Sequence, residues 1–459
     1  MHAIITISII ALIVLFFGAL EKKKVLLPTI YVGLTIAFIL NLMGWDQSVH
    51  YYNDMYIDDN FSIAFNALLI FTTLLVFVFA PVYYKPVQRP LEDIYALILF
   101  ALVGALTMTA FGNLVMLFIG IETLSLSLYI LAGSKKFDPN SNEAAMKYFL
   151  TGSFASGFLL FGIALIYGAS GTLNLEALKQ YVIANQTHLP EMLKIGLLLV
   201  AFGMTFKIGA APFHFWAPDV YEGSPTLITT FMATVGKVAA VAAFYRLLHS
   251  SFAEVEGLWK MTLTVFAFLS ILIGNFSALY QNNVKRMFAY SGIAHAGYML
   301  IALLAMGDDA AGVLLLYSVS YTIANIIAFA VLILVREETG SFSISSFNGL
   351  YKHNPIEAFA MTIALISLSG LPPLVGFGAK YNLFLAAMNH DNLILVFVAI
   401  VGSMVSVYYY FRPVVAMYFN PPSETASITS TSNYRKQIFI VAVLIIILGL
   451  MPRIVLDLI

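Results

Sequence analysis

The chain has 459 residues, of which 61% are hydrophobic and only 10% are charged. A soluble globular domain carries about 25% charged residues, so the composition excludes that class and predicts an all-α integral membrane protein. The sequence contains no Cys, which excludes disulfides, thiolate-held iron–sulfur clusters and Cys catalysis. It also contains no glycine-rich nucleotide motif, no paired histidines for a metal and no basic tract for nucleic acid. The net charge of −1 indicates nothing about partners.

Apolar runs separated by loop signals predict about fourteen transmembrane helices. The first run begins near the N-terminus without a basic segment before it, so we interpret it as a membrane span and not as a signal peptide. In chain order the predicted spans are 3–20, 25–43, 61–80, 92–110, 113–132, 147–168, 192–213, 226–248, 259–279, 288–305, 311–335, 356–388, 393–419 and 437–456.

Two of these spans contain residues that interrupt a helix. The seventh ends in a stretch with Gly209 and Pro212, and the twelfth contains Gly370 and Pro372. Proline removes a backbone hydrogen bond, and a broken helix is tolerated inside a membrane only where protein or water satisfies the freed groups. We therefore predict that helices 7 and 12 are discontinuous.

Lysine and arginine are distributed unequally between the two sides. Loops after odd-numbered spans hold fifteen of them, including Lys22–Lys24, Lys85 and Arg89, whereas the opposite loops hold five. Positively charged loops stay in the cytoplasm. We predict that both termini lie on the periplasmic, outer side of the cell inner membrane.

The chain also shows a possible internal repeat. Glu122 and Lys207 are 85 residues apart, and His295 and Lys380 are again 85 apart, each pair ending beside an interrupted helix. Because five spans separate corresponding helices, the two five-helix repeats are predicted to be inverted. This predicts four segments: N-terminal helices 1–3 (1–90), a first repeat (91–250), a second repeat (251–420) and helix 14 (421–459).

Five ionisable residues lie in the middle of predicted spans: Glu122, Lys207, Lys237, His295 and Lys380. A lysine at mid-membrane depth costs about 2.5–3.5 kcal/mol on insertion scales, and such residues commonly mark proton relays. Snorkelling to the interface, a protonated interhelical acid or a structural histidine would explain any one of them. Together they favour a buried relay in which Glu122 is half of an ion pair whose making and breaking is coupled to proton movement.

Other polar residues have more ordinary interpretations. His214 is expected at a helix end or an interface, and Asp219 and Glu222 are expected to cap the next helix. Glu143 and Lys147 are spaced as a surface pair one helical turn apart.

Four stretches carry a resemblance to a known family. "KIGAAPFHFWAPDVYEGSPT" (207–226), "GKVAAV" (236–241), "VKRMFAYSGIAHAGYML" (284–300) and "SGLPPLVGFGAK" (369–380) resemble the antiporter-like subunits of respiratory complex I. Lys380 in place of glutamate, and the lack of a lateral helix after the fourteenth span, favour the N-type subunits, the counterparts of mitochondrial subunit 2.

The resemblance implies a proton-translocating subunit of an NADH-quinone oxidoreductase. In that family a glutamate of the fifth span pairs with a lysine of the seventh, and a lysine of the eighth continues a hydrated file. The motifs place these on Glu122, Lys207 and Lys237. NADH, FMN, iron–sulfur clusters and quinone would be bound by partner subunits and none by this chain, whose partners would be antiporter-like paralogues, small membrane subunits and lipid. A multi-subunit cation/proton antiporter and a non-transporting membrane scaffold stay open as alternatives.

Overall fold

A computed structural model describes residues 1–84, 91–305, 307, 309–389, 392–422 and 432–459. Lys85 and Arg89, used above for orientation, lie outside these ranges. The described chain is almost entirely helical. Its α-helices are α1 (His2–Ala19), α2 (Leu26–Leu42), α3 (Asn60–Tyr83), α4 (Leu91–Thr109), α5 (Leu114–Ala132), α6 (Pro139–Ser170), α7 (Leu175–Ala184), α8 (Glu191–Ile208), α9 (Trp216–Gly223), α10 (Thr226–Phe231), α11 (Lys237–Ser251), α12 (Glu256–Leu279), α13 (Val284–Leu304), α14 (Ala310–Thr339), α15 (Leu350–His353), α16 (Pro355–Ser369), α17 (Val375–Met388), α18 (Leu393–Phe419), α19 (Ser432–Leu450) and α20 (Arg453–Leu456).

Twelve helical segments of the described chain are long and apolar enough to cross a membrane. They are α1–α6, the continuous run from α10 to α11, α12, α13, α14, α18 and α19. The prediction of an all-α integral membrane protein is confirmed. The remaining two predicted spans correspond to α8, which carries three charged residues, and to α16 with α17. The total of fourteen stays a prediction.

Helices 7 and 12 are discontinuous, as predicted. Helix α8 ends at Gly209, whose φ is +73°, and helix α9 begins seven residues later at Trp216. Helix α16 ends at Gly370, whose φ is +84°, and α17 begins at Val375. A glycine in this left-handed conformation terminates a helix without the strain that a side chain would add. Both breaks lie close to a lysine of the predicted relay.

Polar side chains fix the starts of several helices. Asp59, Asn113, Asp138, Asn174 and Asn283 each accept a hydrogen bond from a backbone N–H of the first turn of the helix that follows. Such caps satisfy amide groups that have no partner within the helix. They define where the helices begin within long apolar sequence.

A short β-hairpin lies in the loop between α2 and α3. Strands β1 (Val49–Tyr51) and β2 (Tyr56–Asp58) pair antiparallel. Directly after β2, Asp59 caps α3 and accepts a 2.5 Å hydrogen bond from Arg246 of α11. Burial acts to raise the pKa of Asp59, but the Arg246 guanidinium and the hydrogen bonds from Ser62 hold it below its ordinary value. The ion pair therefore ties the hairpin to the helix that carries Lys237.

The interior is formed by three helical segments. Within the most apolar 18-residue stretch of each segment, all residues are buried in the run from α10 to α11 and 94% are buried in α13 and α14, whereas only 33% are buried in α1 and α2. Peripheral helices with apolar outer faces are those that contact lipid or neighbouring membrane chains. The central position of α11 and α13 keeps the predicted site residues Lys237 and His295 away from the lipid, and α14 contributes contacts to them.

One structural pattern occurs twice. Isolated antiparallel bridges join Asn113 to Asn174, before α5 and α7, and Asn283 to Ser343, before α13 and the 3₁₀ turn that follows α14. The helix break after α8 follows the first of these bridges along the chain, and the break after α16 follows the second. The repeat, its inversion and the four segment boundaries stay predictions.

Candidate functional site

The five predicted site residues lie on five helices. Glu122 is on α5, Lys207 on α8, Lys237 at the start of α11, His295 on α13 and Lys380 on α17. Glu122 and Lys207 are half-buried, while the other three are at most 5% exposed. The helices bring them into two groups, one around Lys207 and one around His295.

The first group contains no direct ion pair. Glu122 accepts a 2.5 Å hydrogen bond from Ser156 of α6. Lys207 donates to the hydroxyl of Ser125, one helical turn from Glu122, and to the hydroxyl of Tyr129 at 3.2 Å. In this conformation neutral hydroxyl groups hold both side chains, and the Glu122–Lys207 ion pair that makes and breaks stays a prediction.

Lys237 lies at a local distortion of its helix. The residues before it, Met232–Gly236, form a π-helical turn, a feature that often marks functional sites. The ammonium group donates to the backbone carbonyl of Gly292 on α13 and lies 5.7 Å from the centre of the Tyr321 ring. Lys237 thus reaches the helix of His295 through a carbonyl oxygen and an aromatic face, with no carboxylate.

His295 is hydrogen-bonded through both ring nitrogens. Nδ1 lies 2.7 Å from the hydroxyl of Tyr317 on α14, and Nε2 lies 3.2 Å from the hydroxyl of Tyr410 on α18. The Tyr410 hydroxyl also bonds the hydroxyl of Ser291, the residue before Gly292. The chain of hydroxyls from His295 therefore ends next to the carbonyl that Lys237 contacts.

Lys380 is held at the second helix break. Its ammonium donates at 2.9 Å to the backbone carbonyl of Ser369, the last residue of α16, and at 2.9 Å to the hydroxyl of Ser403. It lies 4.9 Å from the centre of the Tyr298 ring, which is 5.9 Å from His295. The free carbonyl at the end of a broken helix thus supplies an acceptor for a buried amine.

The contacts of the lysines share one property. Each donates to neutral oxygen atoms, and each lies within 6 Å of an aromatic ring centre, which attracts a cation electrostatically. A buried amine with such neutral partners can exist with or without its proton, because no fixed opposite charge demands the charged form. The arrangement can therefore take up and release protons.

Sequence reasoning missed the hydroxyl residues of the site. Ser125, Ser156 and Tyr410 sit in apolar helices, and a single serine or tyrosine there is common and carries no spacing signal. A usable signal exists only for Ser125 and Tyr129, since they follow Glu122 by three and seven residues and so share its helix face.

Asp219 and Glu222 do not cap a helix, so that prediction is wrong. Both lie within α9, and the residue before α10 is Pro225 without a side-chain cap. Asp219 pairs with Lys147 at 2.7 Å and with Arg286 at 2.9 Å, and Glu222 pairs with Arg286 at 2.6 Å. Interactions between helices outweigh the local ones here, because two charged groups, Lys147 of α6 and Arg286 of α13, make three ion pairs with α9.

The interpretations of the Glu143–Lys147 pair and of His214 can also be compared with the structure. Glu143 and Lys147 form the expected pair one helical turn apart, at 2.7 Å. His214 lies in the break after α8, between helix ends, and is 6% exposed. Among the residues that the structure describes, no group of three or more His, Asp or Glu is placed to hold a metal ion.

Comparisons with known proteins agree with this architecture. Residues 112–406 match the family described as "NADH:quinone oxidoreductase/Mrp antiporter, TM". The chain is 43% identical over all of its length to NADH-quinone oxidoreductase subunit N of Flavobacterium psychrophilum, which it also covers completely. It is 33% identical to a chain of respiratory complex I from Thermus thermophilus, with a TM-score of 0.86, covering 99% of this chain and 98% of that one.

A third comparison concerns the fold alone. A chain of the Mrp complex from Dietzia superposes with a TM-score of 0.89 at 20% identity, covering 99% of this chain and 95% of that one. The expected resemblance to antiporter-like complex I subunits of the N type is confirmed by the full-length relatives. The chain belongs to the NADH:quinone oxidoreductase/Mrp antiporter transmembrane family, alongside the curated N subunits of NADH-quinone oxidoreductase.

Proposed function

We propose that this chain is the proton-translocating membrane subunit of an NADH-quinone oxidoreductase, complex I, in which electron transfer from NADH to quinone drives proton pumping. The observation that carries the proposal is the row of buried amines, Lys207, Lys237 and Lys380, each bound only to neutral oxygens and aromatic faces. Full-length relatives that are named as complex I N subunits support it.

The proposed relay begins at the half-buried pair of Glu122 and Lys207. A rotation of Ser125 or Tyr129 would let the ammonium of Lys207 approach the carboxylate, and the return would release it. Because the two charged groups are both close to hydroxyls and not to each other, the pair can alternate between separated and joined forms. That alternation changes which proton-binding state is favoured on Lys207.

The second half of the relay runs through Lys237, His295 and Lys380. Lys237 and His295 are joined by the α13 segment that contains Ser291 and Gly292, and Lys380 lies over the ring of Tyr298, whose centre is 5.9 Å from that of His295. In this proposal the chain itself binds no redox cofactor. NADH, FMN, iron–sulfur clusters and quinone act in partner subunits, and antiporter-like paralogues, small membrane subunits and lipid surround this one.

Two other functions would use the same fold. A multi-subunit cation/proton antiporter is one of them, since the Mrp chain has the same fold, although that superposition shows the fold alone. A passive scaffold would need the buried amines only for packing. Packing is a weak reason to keep them, because apolar replacements of buried charges are often neutral or stabilising.

The decisive variant is Lys207→Met, with Lys194→Met as the matched control on the same helix. Lys194 pairs with Glu191 at 2.7 Å in the first turn of α8, away from the site. We expect Lys207→Met to assemble normally with flavin- and iron–sulfur-containing subunits and to lower NADH-driven proton pumping in membrane vesicles at least tenfold, as loss of a proton-transfer group does. Lys194→Met should pump normally.

Three outcomes separate the alternatives. Full pumping in Lys207→Met would refute the relay and favour the scaffold. Copurification with small antiporter subunits and cation-driven proton exchange without NADH would favour the antiporter. The orientation of the termini and the four-segment division remain part of the proposal.

A further inference from the structure

The ring of His295 is hydrogen-bonded to two buried tyrosines, Tyr317 and Tyr410. Tyr317 and Tyr410 are each at most 2% exposed, and their hydroxyls flank the two ring nitrogens of His295. A neutral imidazole carries one N–H and one bare nitrogen, so one of these phenols must donate to the ring while the other accepts from it. The two hydrogen bonds cannot be chosen independently.

We propose that Tyr317 and Tyr410 are relay residues that pass protons through a neutral His295, in a chain running from Tyr317 to Ser291. This inference rests on the proposed function of the chain. Its support is the hydrogen-bond inventory around the ring, which distinguishes the two possible directions.

In the first direction, Tyr317 donates to Nδ1, Nε2–H donates to Tyr410, and Tyr410 donates to Ser291. Each phenol hydrogen and the ring hydrogen then has an acceptor. The hydroxyl hydrogen of Ser291 can turn to the backbone carbonyl of Met287 four residues earlier, as helical serines do.

In the reverse direction, Nδ1–H donates to Tyr317, and the hydrogen of Tyr317 is left over. Among the described residues the Tyr317 hydroxyl has a hydrogen bond only to His295. A buried donor without an acceptor costs about 1–3 kcal/mol. Within the described residues, the first direction therefore gives each phenol hydrogen and the ring hydrogen a protein acceptor.

Proton transfer along this chain conserves every atom. A proton that reaches the oxygen of Tyr317 displaces its hydrogen to Nδ1, the ring hydrogen moves from Nε2 to Tyr410, and the hydrogen of Tyr410 moves to Ser291. One proton then leaves Ser291. No group is oxidised or reduced.

The ends of the chain face the two lysines. The Tyr317 ring lies 6.3 Å from that of Tyr298, which covers Lys380. Ser291 precedes Gly292, whose carbonyl accepts from Lys237. Passage of one proton from the Lys380 side to the Lys237 side therefore leaves the chain in the reverse arrangement. Each hydroxyl and the imidazole must return to the first arrangement before the next proton can follow.

The test uses the intact complex with Tyr317→Phe and Tyr410→Phe, and Tyr434→Phe as control. Tyr434 is an equally buried tyrosine whose hydroxyl donates to the backbone carbonyl of Ala330, on α14 but outside the His295 contacts. We expect both relay variants to lower NADH-driven pumping roughly tenfold or more and to raise its solvent deuterium isotope effect. The control should change neither.

A double-mutant cycle adds a readout that simple packing would not give. If Tyr317 acts through the imidazole, Tyr317→Phe combined with His295→Gln should pump no worse than His295→Gln alone. Additive losses would overturn the inference. Ser291→Ala, a small change at the end of the chain, should also lower pumping even if a tyrosine variant assembles poorly, and normal pumping in it would overturn the inference.

The inference and the proposed function can fail separately. If Lys237→Met pumps normally, the proposed function fails. If Lys237→Met is inactive while Tyr317→Phe and Tyr410→Phe behave like Tyr434→Phe, only the role of the tyrosines is wrong.

Discussion

The serine between Glu122 and Lys207 offers a sharp test of how the first half of the site works. Ser125 accepts a hydrogen bond from the Lys207 ammonium and itself donates to the backbone carbonyl of Ile121. Ser125→Ala removes the acceptor and leaves the ammonium with the hydroxyl of Tyr129 at 3.2 Å. The charge and the helix remain in place, so the change is confined to one contact.

The size of the effect follows from that contact. A hydrogen bond to a charged group contributes about 1.5–3 kcal/mol, and each 1.4 kcal/mol changes a rate about tenfold. Because Tyr129 keeps part of the solvation of the ammonium, we take the lower end and expect pumping to fall about tenfold in Ser125→Ala.

The assay is NADH-driven acidification of inverted membrane vesicles, normalised to the amount of assembled complex. Ser127→Ala is the matched control, since Ser127 lies on the same helix and donates only to the backbone carbonyl of Thr123. Pumping in Ser125→Ala within about twofold of Ser127→Ala would refute the view that Ser125 stabilises the charge of Lys207 during turnover.

Two further predictions concern stability. Asp59→Asn keeps the cap of α3 but removes the charge opposite Arg246. Because the Asp59 side chain is 34% exposed, we expect the melting temperature at pH 7 to fall by the equivalent of about 1–3 kcal/mol. Because the pKa of Asp59 is lowered in the folded protein, its contribution to stability is present above about pH 4 and is lost as the pH falls through the folded pKa. The difference in melting temperature between the variant and the unchanged protein should therefore disappear in acid. A difference that stays constant below about pH 4 would contradict the ion pair. At the crossing of α6 and α8, Gly162→Ala would place a Cβ 2.7 Å from the carbonyl oxygen of Gly196, whereas Gly157→Ala on the same helix meets nothing within 4 Å. We expect Gly162→Ala to lower the melting temperature by the equivalent of about 1–3 kcal/mol, and Gly157→Ala to leave it unchanged or raise it, as followed by thermal inactivation. Equal effects of the two variants would show that α6 and α8 can move apart to accommodate the added methyl group.

The sequence predicted the features that depend on strong local signals. Glycine and proline marked both helix breaks, since no other residues interrupt a helix so reliably. The central lysines stood out because a charge in apolar sequence is costly. These signals depend on the local sequence, so the packing of the helices does not change what they predict.

The sequence could not supply the partners of those residues. The oxygens that accept hydrogen bonds from Lys207, Lys237 and Lys380 belong to other helices. Two of them are backbone carbonyl oxygens, which every residue has, so the sequence does not single them out. The hydroxyls that hold Glu122 and Lys207 in this conformation were not predicted either, because helix faces alone do not show which hydroxyl lies between two side chains.

The three aromatic contacts of the lysines have a spectroscopic consequence. Tyr129, Tyr321 and Tyr298 lie 5.4, 5.7 and 4.9 Å from the ammonium groups of Lys207, Lys237 and Lys380. The near-ultraviolet absorption of a phenol shifts in the electric field of a neighbouring charge. The absorption of each tyrosine therefore reports the charge of the lysine beside it. Time-resolved difference spectra of variants with one Tyr→Phe change each would assign every signal to one amine and show the order in which the amines change charge.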